Sequence, residues 1–307
     1  MKVTFVAPKE FIPPPAWVRA FTHRQRTPRG EKEGFGIPRS WIFQPWLLLM
    51  KEGVECEYTP YLPEEGITLM LSFNIHPDSQ GSDKFFLVDI AADRLPRSVA
   101  HFHIVQNPVQ AREYENAFYM PHWPEHYLIP RDENRKKTFA NICYFGDPDN
   151  LAAELKSEEW QRHLKNELGL HFQLKHKEEW HDYSDVDAVV AIRDFSNKPY
   201  DNKPATKLYN AWLAGVPFIG GCDSAYASEG SPEQDYLVAA APEELLQQLR
   251  RLKQDQELRA RLVQRGSEVV QNFTMEKTLE RWKKLIQEIL PQRALEWQRT
   301  LLHKASS

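Results

Sequence analysis

Cysteine is scarce in this chain, with three residues in 307, at Cys56, Cys143 and Cys222. An odd number at wide spacing supports neither a disulfide framework nor a zinc cluster, and it suits a reducing cytoplasm. A surplus of positive charge is also missing. The 39 Lys and Arg residues are outnumbered by 43 Asp and Glu, giving a formal charge of -4, so no basic surface for nucleic acid is expected. Long hydrophobic runs are lacking too: "WLLLM" falls far short of the about eighteen apolar residues that a membrane span needs. The opening "MKVTFVAPKEF" has too short an apolar run for a signal peptide and reads as a first strand. There is no Walker-type loop, no G-x-G-x-x-G, no short-period repeat and no low-complexity tract.

What is present is core-forming material. Apolar residues make up 41% and aromatics 12% of the chain, enough for two domains with separate cores. The runs "KVTFVAP", "ITLMLSFNI", "KFFLVDI", "AHFHIVQNP" and "AFYMPHW" are continuous rather than alternating, the pattern of strands covered on both faces. "SWIFQPWLLLMKEG" has helical spacing and ends in glycine. After "PHWPEHYLIPRDENRKK", where prolines and charges cluster as in a linker, the pattern restarts. "FANICYFGDPDN", "LHFQLKH", "DVDAVVAIRDF" and "QDYLVAA" read as strands, separated by the helix candidate "LAAELKSEEWQRHLKNELG". Two long amphipathic helices and the closing segment "PQRALEWQRTLLHKASS" follow. Strand, helix, strand in succession predicts an α/β fold with parallel sheets in two units.

The stretch "NKPATKLYNAWLAGVPFIGG", Asn202 to Gly221, carries the most chemistry. In the predicted helix Leu208, Ala211 and Trp212 face the core, while Lys207, Asn210 and Ala214 share another side. Thr206 and Lys207 occupy the first turn, where unpaired N–H groups and the helix dipole favour an anion. A solvated surface lysine is the other reading of Lys207. Gly215 ends the helix, and the exit of the next strand at Gly220 and Gly221 permits close backbone approach. Ligands of open α/β sheets bind beyond the carboxyl ends of the strands, where this turn and "GGCDSAY" belong. A phosphate or diphosphate is the natural guest.

The block "KPATKLYNAWLAGVPFIGG", with "IPRD" and "YFGD" before it and "DSAY" after it, resembles the donor-binding half of GT-B glycosyltransferases, specifically the group 1, family 4-like enzymes, which transfer sugars from nucleotide-sugar donors. The likeness spans about residues 129–285; the N-terminal half shares only its strand pattern. It implies two Rossmann-like domains with parallel sheets facing across a cleft and a C-terminal helix crossing back. Residues 1–128 would form the acceptor side, and residues 129–307 would hold the nucleotide-sugar and include the closing helix. One departure stands out. Retaining members carry two glutamates eight residues apart, one on the donor sugar and one on the nucleotide ribose; Asn202 and Asn210 occupy the matching positions. Amides still hydrogen-bond hydroxyls but supply no carboxylate, which leaves donor and stereochemical outcome open.

Within that resemblance, Lys207 is the first candidate to stabilise the leaving diphosphate, which needs fixed cations rather than a metal. Arg193, at the end of "AVVAIRD", is the second, the alternative being an ion pair with Asp194 or Asp201; Lys203 is a looser third. Thr206, Asn210 and Gly221, with the backbone of Ser224, Ala225 and Tyr226, are expected around the donor. Glu229 is either a ribose ligand or a solvated loop carboxylate. In the first half, His23, Arg24, Arg26, Arg29 and Lys32 surround Gly34 and Gly36 in a locally basic loop suited to an acidic or phosphorylated acceptor, or to anionic lipid. His103, Asp89, His76 and His122 are the acid–base candidates, each equally readable as a packed, hydrogen-bonded residue. His101 and His103 lack a third ligand nearby, so no metal and no cofactor is expected.

The expected function is therefore metal-independent sugar transfer to a glycan, lipid or small-molecule acceptor, in the cytoplasm or at the inner face of a membrane. A nucleotide-sugar epimerase of the same fold and a non-catalytic nucleotide-sugar binding protein are the alternatives.

Overall fold

The computed structural model describes residues 1–13, 15–22, 36–76 and 83–306. Met1–His122 together with Met275–Ser307 form one compact unit, and Trp123–Thr274 form a second.

The first unit is built on β1 (Val3–Val6), β2 (Glu57–Thr59), β3 (Gly66–Leu71), β4 (Phe85–Ala92), β5 (Phe102–Val105) and β6 (Ala117–Tyr119). All neighbours are parallel, in the order β2-β1-β3-β4-β5-β6. Every residue of β1 and β5 is buried, which is why these runs do not alternate. The edge strand β2, three half-buried residues long, adds a strand that the apolar pattern does not announce. Pro45 sits in the helix Gln44–Lys51, directly after the wider turn Arg39–Phe43 whose Trp41, Ile42 and Phe43 are buried. A proline cannot donate to the helical ladder, and the ladder re-forms through that turn.

The last helices close this same core. Trp282, in the helix Met275–Lys284, is fully buried. Its ring centroid lies 6.0 Å from that of Phe5 and 6.4 Å from that of Trp41. Trp297, in the final helix Leu290–Ser306, meets Phe86 of β4 at 5.7 Å. The C-terminal helix thus crosses back to the N-terminal sheet. No helix among the described residues is long and apolar enough to cross a membrane.

The second unit holds β7 (Asn141–Phe145), β8 (His171–Lys175), β9 (Ala188–Ala191), β10 (Phe218–Gly220) and β11 (Leu237–Val238). They are parallel in the order β11-β10-β9-β7-β8. Helices cover both faces. Leu164, Leu245, Leu249, Leu258 and Leu262 pack in one core layer, and Leu208, Tyr209, Ala211 and Trp212 in the other. Ser157 caps the helix Glu158–Leu168 by accepting from Trp160 N, and left-handed Gly169 ends it. Asp255 accepts from Leu258 N at 2.8 Å and divides the long amphipathic segment into Pro242–Gln254 and Gln256–Val269.

Gly266 lets its helix approach Trp212 closely. A Cβ there would lie 2.3 Å from Trp212 Cδ1, and Trp212 is itself held by its Nε1 donating to Asp235 O at 3.0 Å. Gly266→Ala is therefore expected to lower stability by about 1–3 kcal/mol through overpacking, despite alanine's better helix propensity. Urea unfolding followed by tryptophan fluorescence checks this; an unchanged or raised midpoint would show that the helices separate freely.

Candidate functional site

At the carboxyl ends of β7, β9 and β10 the second unit gathers a group of charged and aromatic side chains. The helix Thr206–Ala214 starts here, which puts Lys207 in its first turn. The chain leaves β7 through Gly146, whose φ of +154° is one that glycine accepts and other residues rarely do. A Cβ at Gly146 would lie 2.8 Å from both Lys207 Cε and the Tyr144 hydroxyl oxygen, so the missing side chain lets Lys207 lie across the turn. Lys207 Nζ is 5.4 Å from the Tyr144 ring centroid, a cation–π distance. The Tyr144 hydroxyl donates to Asp147 O at 2.9 Å, closing the "YFGD" turn on itself. Thr206 Oγ1 is buried without a hydrogen-bond partner beside this lysine.

Arg193 follows β9. Its Nε donates to Asp223 Oδ2 at 2.7 Å and a terminal nitrogen donates to Asn150 Oδ1 at 3.0 Å. The partner is thus Asp223, thirty residues on, rather than Asp194 or Asp201. Only 9% of the Arg193 side chain and 2% of Asp223 is exposed. Burial pushes the Asp223 carboxyl up, and Arg193 and Lys207 pull it back only in part. Lys207 therefore faces a carboxylate already committed to a guanidinium. Asp194 accepts instead from Ser196 Oγ at 2.5 Å and from the Tyr200 hydroxyl. Tyr200 has a left-handed backbone, φ +51°, and its ring lies 5.6 Å from the Arg193 guanidinium. Burial and the Asp194 contact push its phenol up to about 12.

Other expected donor residues divide. Lys203, half-buried, donates its N–H to Tyr200 O at 2.8 Å. Gly221 N donates to Ala191 O at 3.3 Å, extending the pairing of β10 with β9, and Ser224 N donates to Pro199 O at 2.6 Å, tying the two loops together. "SAYASE" forms a short helix, Ser224–Glu229, with Ala225 and Tyr226 buried and Glu229 at its last residue. Asn210 is 6% exposed and its Oδ1 accepts from Glu125 N at 2.8 Å.

The first unit holds the acid–base candidates. His103, second in β5, is at the amino end of its strand, 8% exposed. Its Nδ1 is 3.4 Å from Asp89 Oδ2, outside hydrogen-bond geometry. Asp89 is fully buried and accepts from Ser72 Oγ at 2.5 Å and Arg97 N at 2.6 Å. These bonds pin the connection from β4 to β5. His122 meets Trp41 edge-on at 5.6 Å, and His76 is exposed. Gly36 begins the short helix Gly36–Pro38 with open space around it. His23, Arg24, Arg26, Arg29, Lys32 and Gly34 lie outside the described residues.

Tyr144, Asn150, Asp223 and Tyr200 were not singled out by sequence reasoning. Two had a signal: Tyr144 and Asp223 lie inside the quoted "YFGD" and "GGCDSAY". The arginine of "IPRD" serves elsewhere: Arg131 and Arg135 both bind Asp187 at the opposite, amino ends of the strands.

Residues 140–284 match the family model described as glycosyl transferase-like. No curated protein sequence matches the chain. Among solved structures, TarM is 12% identical over 72% of this chain and 55% of its own, with a TM-score of 0.51. The pneumococcal O-GlcNAc transferase GtfA, in complex with UDP and GlcNAc, is 14% identical over 81% of this chain and 60% of its own, TM-score 0.53. Anabaena HepE in complex with UDP-glucose is 11% identical over 95% of this chain and 100% of its own, TM-score 0.53. The chain spans little more than half the length of TarM. With two parallel α/β sheets, a closing helix that returns to the first and these neighbours, the chain has the GT-B fold, and its residues 140–284 match the glycosyl transferase-like model.

Proposed function

We propose that the protein is a glycosyltransferase that moves a sugar from a nucleoside-diphosphate sugar to an acceptor hydroxyl of a glycan, lipid or small molecule. The observation that carries this is Lys207, in the first turn of its helix and lying across Gly146 within the glycosyl transferase-like segment. Breaking the sugar–phosphate bond develops negative charge on the leaving diphosphate. A lysine and a helix N-terminus fixed at that point lower the barrier without a metal. The first unit is assigned the acceptor. The three free thiols fit a reducing cytoplasm.

A second reading, donor binding without transfer, draws on the neutral amides at Asn202 and Asn210 and on Arg193 being paired with Asp223. Incubating the protein with UDP-, GDP-, ADP- and TDP-sugars and a broad acceptor panel separates the two. Glycosylated acceptor with release of nucleoside diphosphate is expected. Binding without release favours the second reading, and an altered sugar still joined to its nucleotide identifies an epimerase.

A further inference from the structure

Nucleotides in open α/β sheets present a diphosphate to a helix start and a vicinal diol to a nearby carboxylate. Lys207 marks the diphosphate end. Asn210 lies three residues further along the same helix, about 4.5 Å along its axis, but an amide there offers a single acceptor oxygen. That oxygen already has a partner: Asn210 Oδ1 accepts from Glu125 N at 2.8 Å. The bond draws residue 125, which is 85 positions away in sequence, against the helix. It brings a carboxylate with it. Beside Asn210, the Tyr183 hydroxyl is fully buried. Burial pushes its phenol well up, and the Glu125 carboxylate is the next largest cause, in keeping with the contact between Glu125 N and Asn210. Glu125 is half-buried, so it has access to solvent that Tyr183 lacks.

We propose that Glu125, positioned by Asn210, accepts the ribose hydroxyls of the donor nucleotide and stands in for the carboxylate absent at position 210. This rests on the donor-site reading above. A carboxylate has two charged oxygens and accepts both hydroxyls of a diol at once, whereas Asn210 has one neutral oxygen, already accepting from Glu125 N.

The test is equilibrium binding of UDP, GDP, ADP and CDP to the full chain and, for each that binds, of its 2′,3′-dideoxy counterpart. Wild type, Glu125→Gln and Asn210→Ala are compared. Wild type is expected to prefer the ribonucleotide by about tenfold or more, since hydrogen bonds to a charged group are the stronger ones. Glu125→Gln, nearly isosteric, should bring the two forms within about twofold by weakening only the ribonucleotide, and Asn210→Ala should do so in part. A ribose preference that survives Glu125→Gln, or equal weakening of both forms, would overturn the assignment of Glu125 while leaving the donor site in place. If none of the four diphosphates binds wild type, the donor site falls and Glu125 with it.

Discussion

Lys207→Ala is expected to reduce sugar transfer by about 10²–10³-fold, the loss seen when one preorganised donor to a developing charge is removed. The fold should survive, because the side chain is half-buried at the carboxyl end of the sheet and lies outside the two core layers of the unit. Some stability will be lost with the methylenes that lie against Gly146 and Tyr144, about 1 kcal/mol or less. Lys207→Met separates charge from packing: it keeps the hydrocarbon stem and removes the ammonium, so it should lose as much activity as alanine with less change in stability. Steady-state transfer rates and urea midpoints of both variants check this. A methionine variant that transfers at the wild-type rate would remove Lys207 from the chemistry.

The largest effect on stability is expected at Asp187. This carboxylate, 2% exposed, receives six hydrogen bonds. Arg131 Nε and a terminal nitrogen reach Oδ1 at 3.2 and 2.9 Å, and Arg135 Nε reaches it at 3.0 Å. Oδ2 accepts from a terminal nitrogen of Arg135 at 2.6 Å and from the N–H of Ala140 and Asn141 at 2.8 and 2.9 Å. In Asp187→Asn, an NH2 must face donors on one side, and two mostly buried guanidiniums lose their counter-charge. Breaking such a pair from one side costs about 3–5 kcal/mol. Nucleotide binding should be unchanged at temperatures where the variant is folded, because this cluster lies at the amino ends of the strands.

The same site sets an acid dependence. Burial alone would raise the Asp187 carboxyl, but the bonds from Arg135, Asn141, Ala140 and Arg131 hold it below its ordinary value of 3.8. A folded-state value below the unfolded one means stability that is fully present above about pH 4 and lost as pH falls through the lowered value. Wild type should therefore lose stability in that acid window, and Asp187→Asn should lose less of it. Urea midpoints between neutral pH and pH 3 measure both effects. Equal midpoints for the two proteins at neutral pH would show the cluster to be dispensable.

Legibility from sequence followed the range of the physics involved. Strands buried on both faces, such as β1, β4, β7 and β9, show as apolar runs because burial is recorded residue by residue. The edge strands show less: β2 is three half-buried residues, and β8 has no buried residue at all. The helix Thr206–Ala214 and its glycine stop were readable from local capping and spacing. The six-residue helix Ser224–Glu229 was not, because after paired glycines "DSAY" reads as a turn. Side-chain partners were least legible. Arg193 with Asp223, Arg131 with Asp187 and Glu125 with Asn210 are 30, 56 and 85 residues apart. Only the tertiary fold brings them together. For Arg193 the neighbouring acids looked sufficient, and the fold chose a distant one at the next strand end.

One measurement bears most directly on the donor site: a thermal-shift screen of nucleoside diphosphates and their sugars on wild type and Lys207→Met. A ligand that binds the native state at 100 times its Kd adds about 2.7 kcal/mol of stability, a shift of several degrees for domains of this size. One nucleoside diphosphate is expected to raise the wild-type midpoint by that amount and to leave the variant unmoved. A panel that shifts neither protein, or shifts both equally, would mean that the helix at Thr206–Ala214 supports the fold and holds no donor.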